Sequence, residues 1–405
     1  MTRARFLVPL CLATLLLTAA AARQGLSRTA PESIGLSKPR LDEATALLTG
    51  FVDERKIAGA VAAVARKGRV GYLTAVGVQD LDSRALMTER SLFLIYSMTK
   101  PVTAVAAMVL YDAGKFRLED PVSKYIPEFL NATVATTGGS ATPATRPMTI
   151  QDLFLHTSGF SHRTSELYRQ HNVRSRAEPL PTLIQNMLRV PLMEEPGTRY
   201  RYSEATSVLG RLVEIWSGKP FDVYLDEQLF RPLKMVDTGF VVRSDQRARW
   251  TEVYAPASGG GLVATETESL PFTERPALLE GAVGLVSTVP DYLRFAQMLL
   301  NRGELDGVRI LTAATAARIT VNGLPEAILA ERGGSMGWGL ANVNVVLDRA
   351  SPVRGEYGWD GTAGTIFWVD PARDMITILM TQSAPANPDG IRQKFKALVQ
   401  RAILD

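Results

Sequence analysis

Apolar residues along this chain recur at two periods, and the switches between them divide it into elements. After Ser37, residues Leu41, Ala44, Leu47, Leu48 and Val52 fall three or four apart, which predicts an amphipathic helix closing by Gly59. The following stretch, AVAAVARKGRVGYLTAVGV, holds two β-rich runs joined by Arg66-Lys67-Gly68, the pattern of a hairpin. Between Leu92 and Gly114 an apolar run reaches Tyr96, and then Val102, Val105, Ala106, Val109 and Leu110 keep a helical spacing. That spacing predicts a buried helix, and Pro101 fits its first turn, where no N–H partner is needed.

From Leu118 to about Glu280 the pattern is of helices and long loops. Small residues from Asn131 to Pro147 predict a mobile loop, MTIQDLFLH a short helix before Thr157-Ser158-Gly159, and ATSVLGRLVEIWSGKP a longer helix with a Gly-Lys-Pro stop. Strand patterns return late, in WGLANVNVVLD and in TIFWVDPARDMITILMTQ, whose Asp370 to Asp374 make a hairpin turn; IRQKFKALVQRAILD closes the chain as an amphipathic helix. Strands at both ends around a helical middle predict an α/β protein of two lobes. One antiparallel sheet flanked by helices is expected from residues 35–95 and 285–405, and a mainly helical lobe from residues 96–284. The cleft between two lobes is the expected site.

The first residues change the picture of where the protein works. MTRAR carries two positive charges, FLVPLCLATLLLTAAAA is apolar but short for a bilayer span, and Ala20-Ala21-Ala22 offers small residues for cleavage. Residues 1–22 therefore read as a signal peptide, with residues 23–405 forming the catalytic unit in the periplasm or outside the cell, without stable membrane association after cleavage. Cys11, the only cysteine, lies in that leader, so the mature chain is expected to hold no disulfide, thiol nucleophile or thiolate metal site. Loss of Arg3 and Arg5 lowers the formal net charge from +4 to +2. So small a charge, with no basic stripe or aromatic platform, gives no argument for nucleic acid.

Candidate chemistry centres on Ser97 and Lys100, three residues apart at the mouth of the buried helix. That spacing puts both side chains on one face, where the lysine can take the serine proton if its own pKa is lowered. The free N–H groups of the first turn suit a developing oxyanion. Histidine is a poor candidate for the base, because His156, His162 and His171 fall in one short stretch and none follows. His156 reads as a structural contact at a helix end. Gly333-Gly334-Ser335-Met336-Gly337 matches GxSxG, but a polar loop precedes it and no histidine comes later, so it is not read as a nucleophile elbow.

Two further stretches complete the set. Tyr202, just before an apolar helix, could share a proton with Lys100, because a neighbouring ammonium favours phenolate. GEYGWDGTAGTIFWVDP is a glycine-rich entry into a strand, which lets a substrate carbonyl approach the backbone. Each has a plainer reading: SxxK as a helix start with a solvated lysine, the tyrosines as packing aromatics, the glycines as a β-turn.

Taken in order, SMTK, YSE and WDG resemble the three motifs of the serine β-lactamase and penicillin-binding superfamily, and most closely class C β-lactamases and family VIII carboxylesterases. HTSG, PGTRYRYS, PLKMVDTGF and GAVGLVST look similar too. The resemblance implies a β-lactamase/transpeptidase-like fold, Ser97 as acylated nucleophile, and Lys100 with Tyr202 as the proton-transfer pair. It implies Trp359, Asp360 and Gly361 in the strand motif, and the Ser97 and Thr362 N–H groups as the oxyanion hole. Where lactamases usually carry Lys-Thr-Gly and Tyr-x-Asn, this chain has Trp359-Asp360-Gly361 and Tyr202-Ser203-Glu204. With the lysine gone and Glu204 and Asp360 placed near substrate, carboxylate-bearing antibiotics and peptide termini should be disfavoured. Alternatively Glu204 pairs with Lys100 and holds it protonated. The expectation is a serine hydrolase acting on small neutral carboxylic esters with neither cofactor nor metal. A β-lactamase, a D-Ala-D-Ala peptidase, an acyl trap and an acyltransferase fit the same motifs.

Overall fold

A computed structural model describes residues 26–266, 268 and 270–404. The expected signal peptide lies outside the described residues. Helix α1, Lys38–Asp53, begins where the Ser37 hydroxyl accepts the Arg40 N–H at 3.5 Å, with Pro39 in the first turn. It stops short of the expected Gly59 because Arg55 turns left-handed (φ 54°), freeing Ile57 to enter the core. Strands β1, Gly59–Arg66, and β2, Arg69–Gly77, form the predicted hairpin through Lys67 and Gly68, both at positive φ. A short strand β3, Phe93–Leu94, leads into helix α2, Thr99–Asp112. Helix α3, Ile150–Phe154, is capped by Thr149, whose side chain exchanges hydrogen bonds reciprocally with Asp152. Helix α4, Ala205–Ser217, ends at left-handed Gly218.

Strand β4, Val286–Ser287, pairs with β3 and is followed by helix α5, Val289–Leu300. Strands β5, Met336–Gly339, β6, Val343–Val346, β7, Tyr357–Asp360, β8, Ile366–Asp370, and β9, Met375–Thr381, precede the closing helix α6, Ile391–Arg401. The segment WGLANVNVVLD is thus two strands of a hairpin rather than one. Asn342 makes the turn at φ 55°, an angle that asparagine tolerates better than most residues. The expected loop at 131–147 contains a ribbon of Thr133–Ala135 against Ala141–Pro143, and a second ribbon joins Tyr254–Pro256 to Leu262–Ala264.

Seven strands make one antiparallel sheet in the order β5-β6-β7-β8-β9-β1-β2, so the two ends of the chain meet where β1 pairs with β9. Strand β1 is buried at all eight positions because both its faces are covered. Ala60, Ala62 and Val64 pack toward α1 and α6, with Leu48, Leu379 and Phe395. Val61 and Ala63 face the larger core of α2, α4 and α5. Helix α2 is buried nearly all round, as its apolar composition requires. Among the described residues no helix is long and apolar enough to cross a membrane.

Candidate active site

Ser97 sits in a 3-10 turn, Tyr96–Met98, that runs into α2. The turn is fixed from both sides: the Ile95 N–H donates to Leu285 O at 3.1 Å, and Met98 N–H to Ile95 O at 2.9 Å. Tyr96, immediately before Ser97, adopts φ 41°, an uncommon left-handed angle for an aromatic residue, of the kind found where surrounding contacts hold a functional turn. Lys100 follows on the first turn of α2 and has no solvent-exposed surface. Its Nζ donates to Ser97 Oγ at 3.4 Å and to Ala282 O at 3.1 Å, and lies 4.6 Å from the centre of the Tyr202 ring. Its hydrogen-bond acceptors are thus uncharged oxygens, and an aromatic ring lies against it.

Tyr202 stands in the loop before α4, half-buried, within an aromatic wall. Its ring centre lies 5.0 Å from that of His156, 5.6 Å from His162 and 5.1 Å from Trp359, and its hydroxyl accepts the indole N–H of Trp359 at 3.3 Å. The structure thus joins Ser97, Lys100, Tyr202 and Trp359 in one run of contacts, Lys100 linking the serine to the phenol.

His156 is read from sequence as a structural contact at a helix end. It is fully buried, its Nδ1 accepts the Ser203 N–H at 3.3 Å, and its carbonyl accepts the Arg201 N–H at 2.8 Å, which latches the HTSG turn to the loop carrying Tyr202. Burial, reinforced by the Lys100 charge, holds its pKa well below the ordinary imidazole value. His162, stacked on Tyr202, is likewise lowered to about 4 by burial and then by Lys100. Both rings are neutral at pH 7.

On the opposite wall β7 delivers Trp359, Asp360 and Gly361. A methyl group at Gly361 would come within 2.4 Å of Ile95 O, so only glycine lets this strand end lie against the Ser97 turn. The Gly361 N–H donates to Thr365 O at 2.8 Å, and Thr362 follows as an exposed residue of the turn.

Neither carboxylate expected near substrate is a free charge there. Asp360 is ion-paired with Arg392 of α6, whose guanidinium also donates to Gly361 O at 2.9 Å and Thr365 O at 3.3 Å. Glu204 is 1% exposed, so it does not line the cleft. Its oxygens accept from the Arg163 N–H at 3.2 Å and Ser207 Oγ at 3.3 Å, and Lys100 acts on it only through space. The expected direct Glu204–Lys100 pair gives way to these contacts.

Sequence reasoning missed Arg392, Asn342 and Trp338. Arg392 interrupts the buried stripe of Ile391, Phe395 and Val399, and a charge on an apolar face is a signal that could have found it. Trp338 Nε1 and Asn342 Nδ2 both donate to Phe154 O, at 3.0 and 2.7 Å, tying the end of α3 to the sheet. Their signal in the sequence is weak, because the partner is a backbone carbonyl almost 190 positions away.

Comparison with known proteins shows the family. The chain is 32% identical over 365 residues to Protein Rv1367c of Mycobacterium tuberculosis (strain ATCC 25618 / H37Rv), covering 85% of this chain and 90% of that protein. It is 30% identical over 361 residues to Esterase EstB of Burkholderia gladioli, covering 82% and 87% respectively. Among solved structures, EstCE1, a hydrolase with promiscuous acyltransferase activity, superposes with a TM-score of 0.78 at 24% identity, over 90% of this chain and 98% of that one. The Beta-lactamase family model matches residues 44–401, and the chain belongs to that family of serine hydrolases, which includes esterases.

Proposed function

We propose that the protein is an exported serine hydrolase that cleaves small neutral carboxylic esters through an acyl-enzyme on Ser97. The observation that carries this reading is the position of the Lys100 amine, within hydrogen-bond distance of Ser97 Oγ and against the Tyr202 ring. From there the amine can take the serine proton as Oγ attacks the ester carbonyl. Ser97 N–H and Thr362 N–H serve the tetrahedral oxyanion. Collapse breaks the bond to the alkoxide, which leaves with the proton relayed through Lys100 and Tyr202. Water then attacks the acyl group, gives its proton to the same pair, and restores Ser97.

Support for a neutral ester is narrower than the motifs alone suggested. Asp360 and Glu204 are occupied by other partners, so repulsion of anionic substrates is not the argument. What supports the reading is Trp359, which puts an indole where the relatives that bind carboxylates carry a lysine, and so removes the cation that would hold such a group. The name of the Burkholderia gladioli relative agrees with an ester substrate. Export rests on the leader read in residues 1–22.

The test is intact-mass analysis after fluorophosphonate labelling, followed by nitrophenyl esters of increasing acyl length. One adduct per chain, absent in Ser97→Ala together with turnover, is the expected result. Undiminished turnover by Ser97→Ala overturns the mechanism, and nitrocefin hydrolysis faster than ester hydrolysis overturns the substrate class.

A further inference from the structure

The turn between β7 and β8 closes on itself. The Gly361 N–H donates to Thr365 O at 2.8 Å, and the Gly364 N–H donates to Gly361 O at 3.1 Å. The Gly361 carbonyl and the Thr362 N–H belong to one trans peptide, in which the two groups point in opposite directions. With Gly361 O turned toward β8, the Thr362 N–H is turned away from it. That other edge of β7 is open, since β7 pairs with β6 only through Tyr357 and Gly358. The Thr362 N–H donates to no atom among the described residues.

The carbonyl of the same peptide is also held from outside the turn. Arg392, the second residue of α6, is 8% exposed. Its Nη2 donates to Gly361 O at 2.9 Å and to Thr365 O at 3.3 Å, and its Nη1 donates to Asp360. Its Nε has no acceptor among the described residues, so every hydrogen bond of the guanidinium goes to the end of β7 or to this turn. The Arg392 N–H donates in turn to Asn387 Oδ1 at 3.0 Å, which fixes the start of α6. The remaining carbonyls of the turn are held too, Ala363 O by the Ser383 N–H at 2.8 Å and Gly364 O by the Thr381 hydroxyl at 3.3 Å.

We propose that Arg392 is a positioning residue for the oxyanion hole: it fixes the Gly361–Thr362 peptide by its carbonyl and so aims the Thr362 N–H at the charge that forms on the ester oxygen. This rests on the acyl-enzyme reading above and adds a residue that reading does not use. A peptide is a rigid plane, so a carbonyl that cannot rotate leaves its N–H no freedom either. A cationic donor on the carbonyl also polarises the peptide, and hydrogen bonds in series strengthen one another away from water. Asp360, ion-paired with the same guanidinium, balances its charge. A donor set in place beforehand needs no reorganisation as the charge develops.

An oxygen ester and its thionoester separate this role from one in folding alone. The thionoester puts sulfur, a larger and weaker acceptor, where the oxyanion forms, so its hydrolysis draws less on the hole. Arg392→Met should lower kcat for the oxygen ester by about tenfold to a hundredfold with KM little changed. The thionoester rate should fall less, so that the oxygen-to-sulfur rate ratio drops by most of that factor. Both rates falling together at an unchanged ratio would leave Arg392 a role in packing α6 and overturn the proposal, as would parent rates in the variant. Should Arg392→Met not fold, Arg392→Lys decides by the same ratio, because it keeps a cation beside Asp360 but offers one nitrogen where the carboxylate and the carbonyls take two. Turnover that survives Ser97→Ala would overturn the acyl-enzyme reading and this inference with it. Turnover lost in Ser97→Ala, with the ratio unmoved in the Arg392 variants, would overturn this inference alone.

Discussion

Desolvation sets what each side chain at this site can do. Tyr202 has one polar atom, and the indole N–H of Trp359 donates to it at 3.3 Å while the Lys100 amine lies over its ring. A donor aimed at that oxygen fixes the ring and can stabilise negative charge that develops there in the transition state. Trp359→Phe keeps an aromatic ring in the wall and deletes only that donor. Since one hydrogen bond to a charged group contributes about 1.5–3 kcal/mol, kcat for a nitrophenyl ester should fall roughly tenfold to a hundredfold. KM should change little if the bond matters in the transition state alone. A rise in KM at constant kcat would show instead that Trp359 acts by binding substrate.

At the scale of elements, the contact that matters most joins the end of β7 to the Ser97 turn. Gly361→Ala would place a methyl group 2.4 Å from both Ile95 O and Thr365 Oγ1, so the strand must move away from the turn that carries the nucleophile. Overpacking of this kind costs about 1–3 kcal/mol, and a small displacement between reacting groups can cost two orders of magnitude in rate. The expected signature is loss of acylation out of proportion to the loss in urea midpoint. Asn342→Ala tests a different joint. It removes the amide that donates to Phe154 O and accepts from Thr206 Oγ1 at 2.6 Å, and it puts alanine at φ 55°. Stability should drop by about 2–4 kcal/mol, read from urea unfolding. These joints mark where sequence reading stops. The helices α2 and α4, the β1–β2 and β8–β9 hairpins and the Ser97–Lys100 spacing all announce themselves through period, turn residues or local distance. The turn at Asn342 lies within an almost unbroken apolar run and so looked like continuous strand. The partners of Asp360 and Glu204 were hidden because a charge shows its sign in sequence but not what neutralises it. Arg392 is 32 residues from Asp360 and Arg163 is 41 from Glu204.

For the whole molecule, the sheet is closed by its most distant segments, β1 and β9, and the active-site loops hang on the seam between that sheet and the helices. His156 is part of this seam, its ring 5.2 Å from Trp338 of β5 and 5.0 Å from Tyr202, and His162 covers Tyr202 from the other side. Both have folded-state pKa values below the 6.5 of an unfolded chain, His162 at about 4. Above pH 6.5 both states hold them neutral and their contribution to stability is full. As pH falls below 6.5 the unfolded chain takes up protons that the native protein refuses, so stability declines, through about pH 4 for His162 and further down for His156. Each histidine that stays neutral adds at most about 1.4 kcal/mol per pH unit to that decline, and half-buried His162 adds less because solvent screens it. Carboxylates stabilised by charge partners, such as Asp306 beside Arg294, are held below the ordinary value of 3.8 and add their loss only at lower pH. Urea unfolding followed from pH 7 to pH 4 should therefore show stability falling as the unfolded chain protonates its histidines, a fall partly offset by Glu252 and Glu356, whose carboxyls burial raises above the ordinary value. His162→Phe, which keeps a ring against Tyr202 but cannot take a proton, should make that fall shallower while leaving Lys100 and Ser97 in contact. An unchanged slope would mean that His162 is charged in the folded protein, and the aromatic wall around Tyr202 would then be wetter and more open than the packing of His156, Trp338 and Trp359 implies.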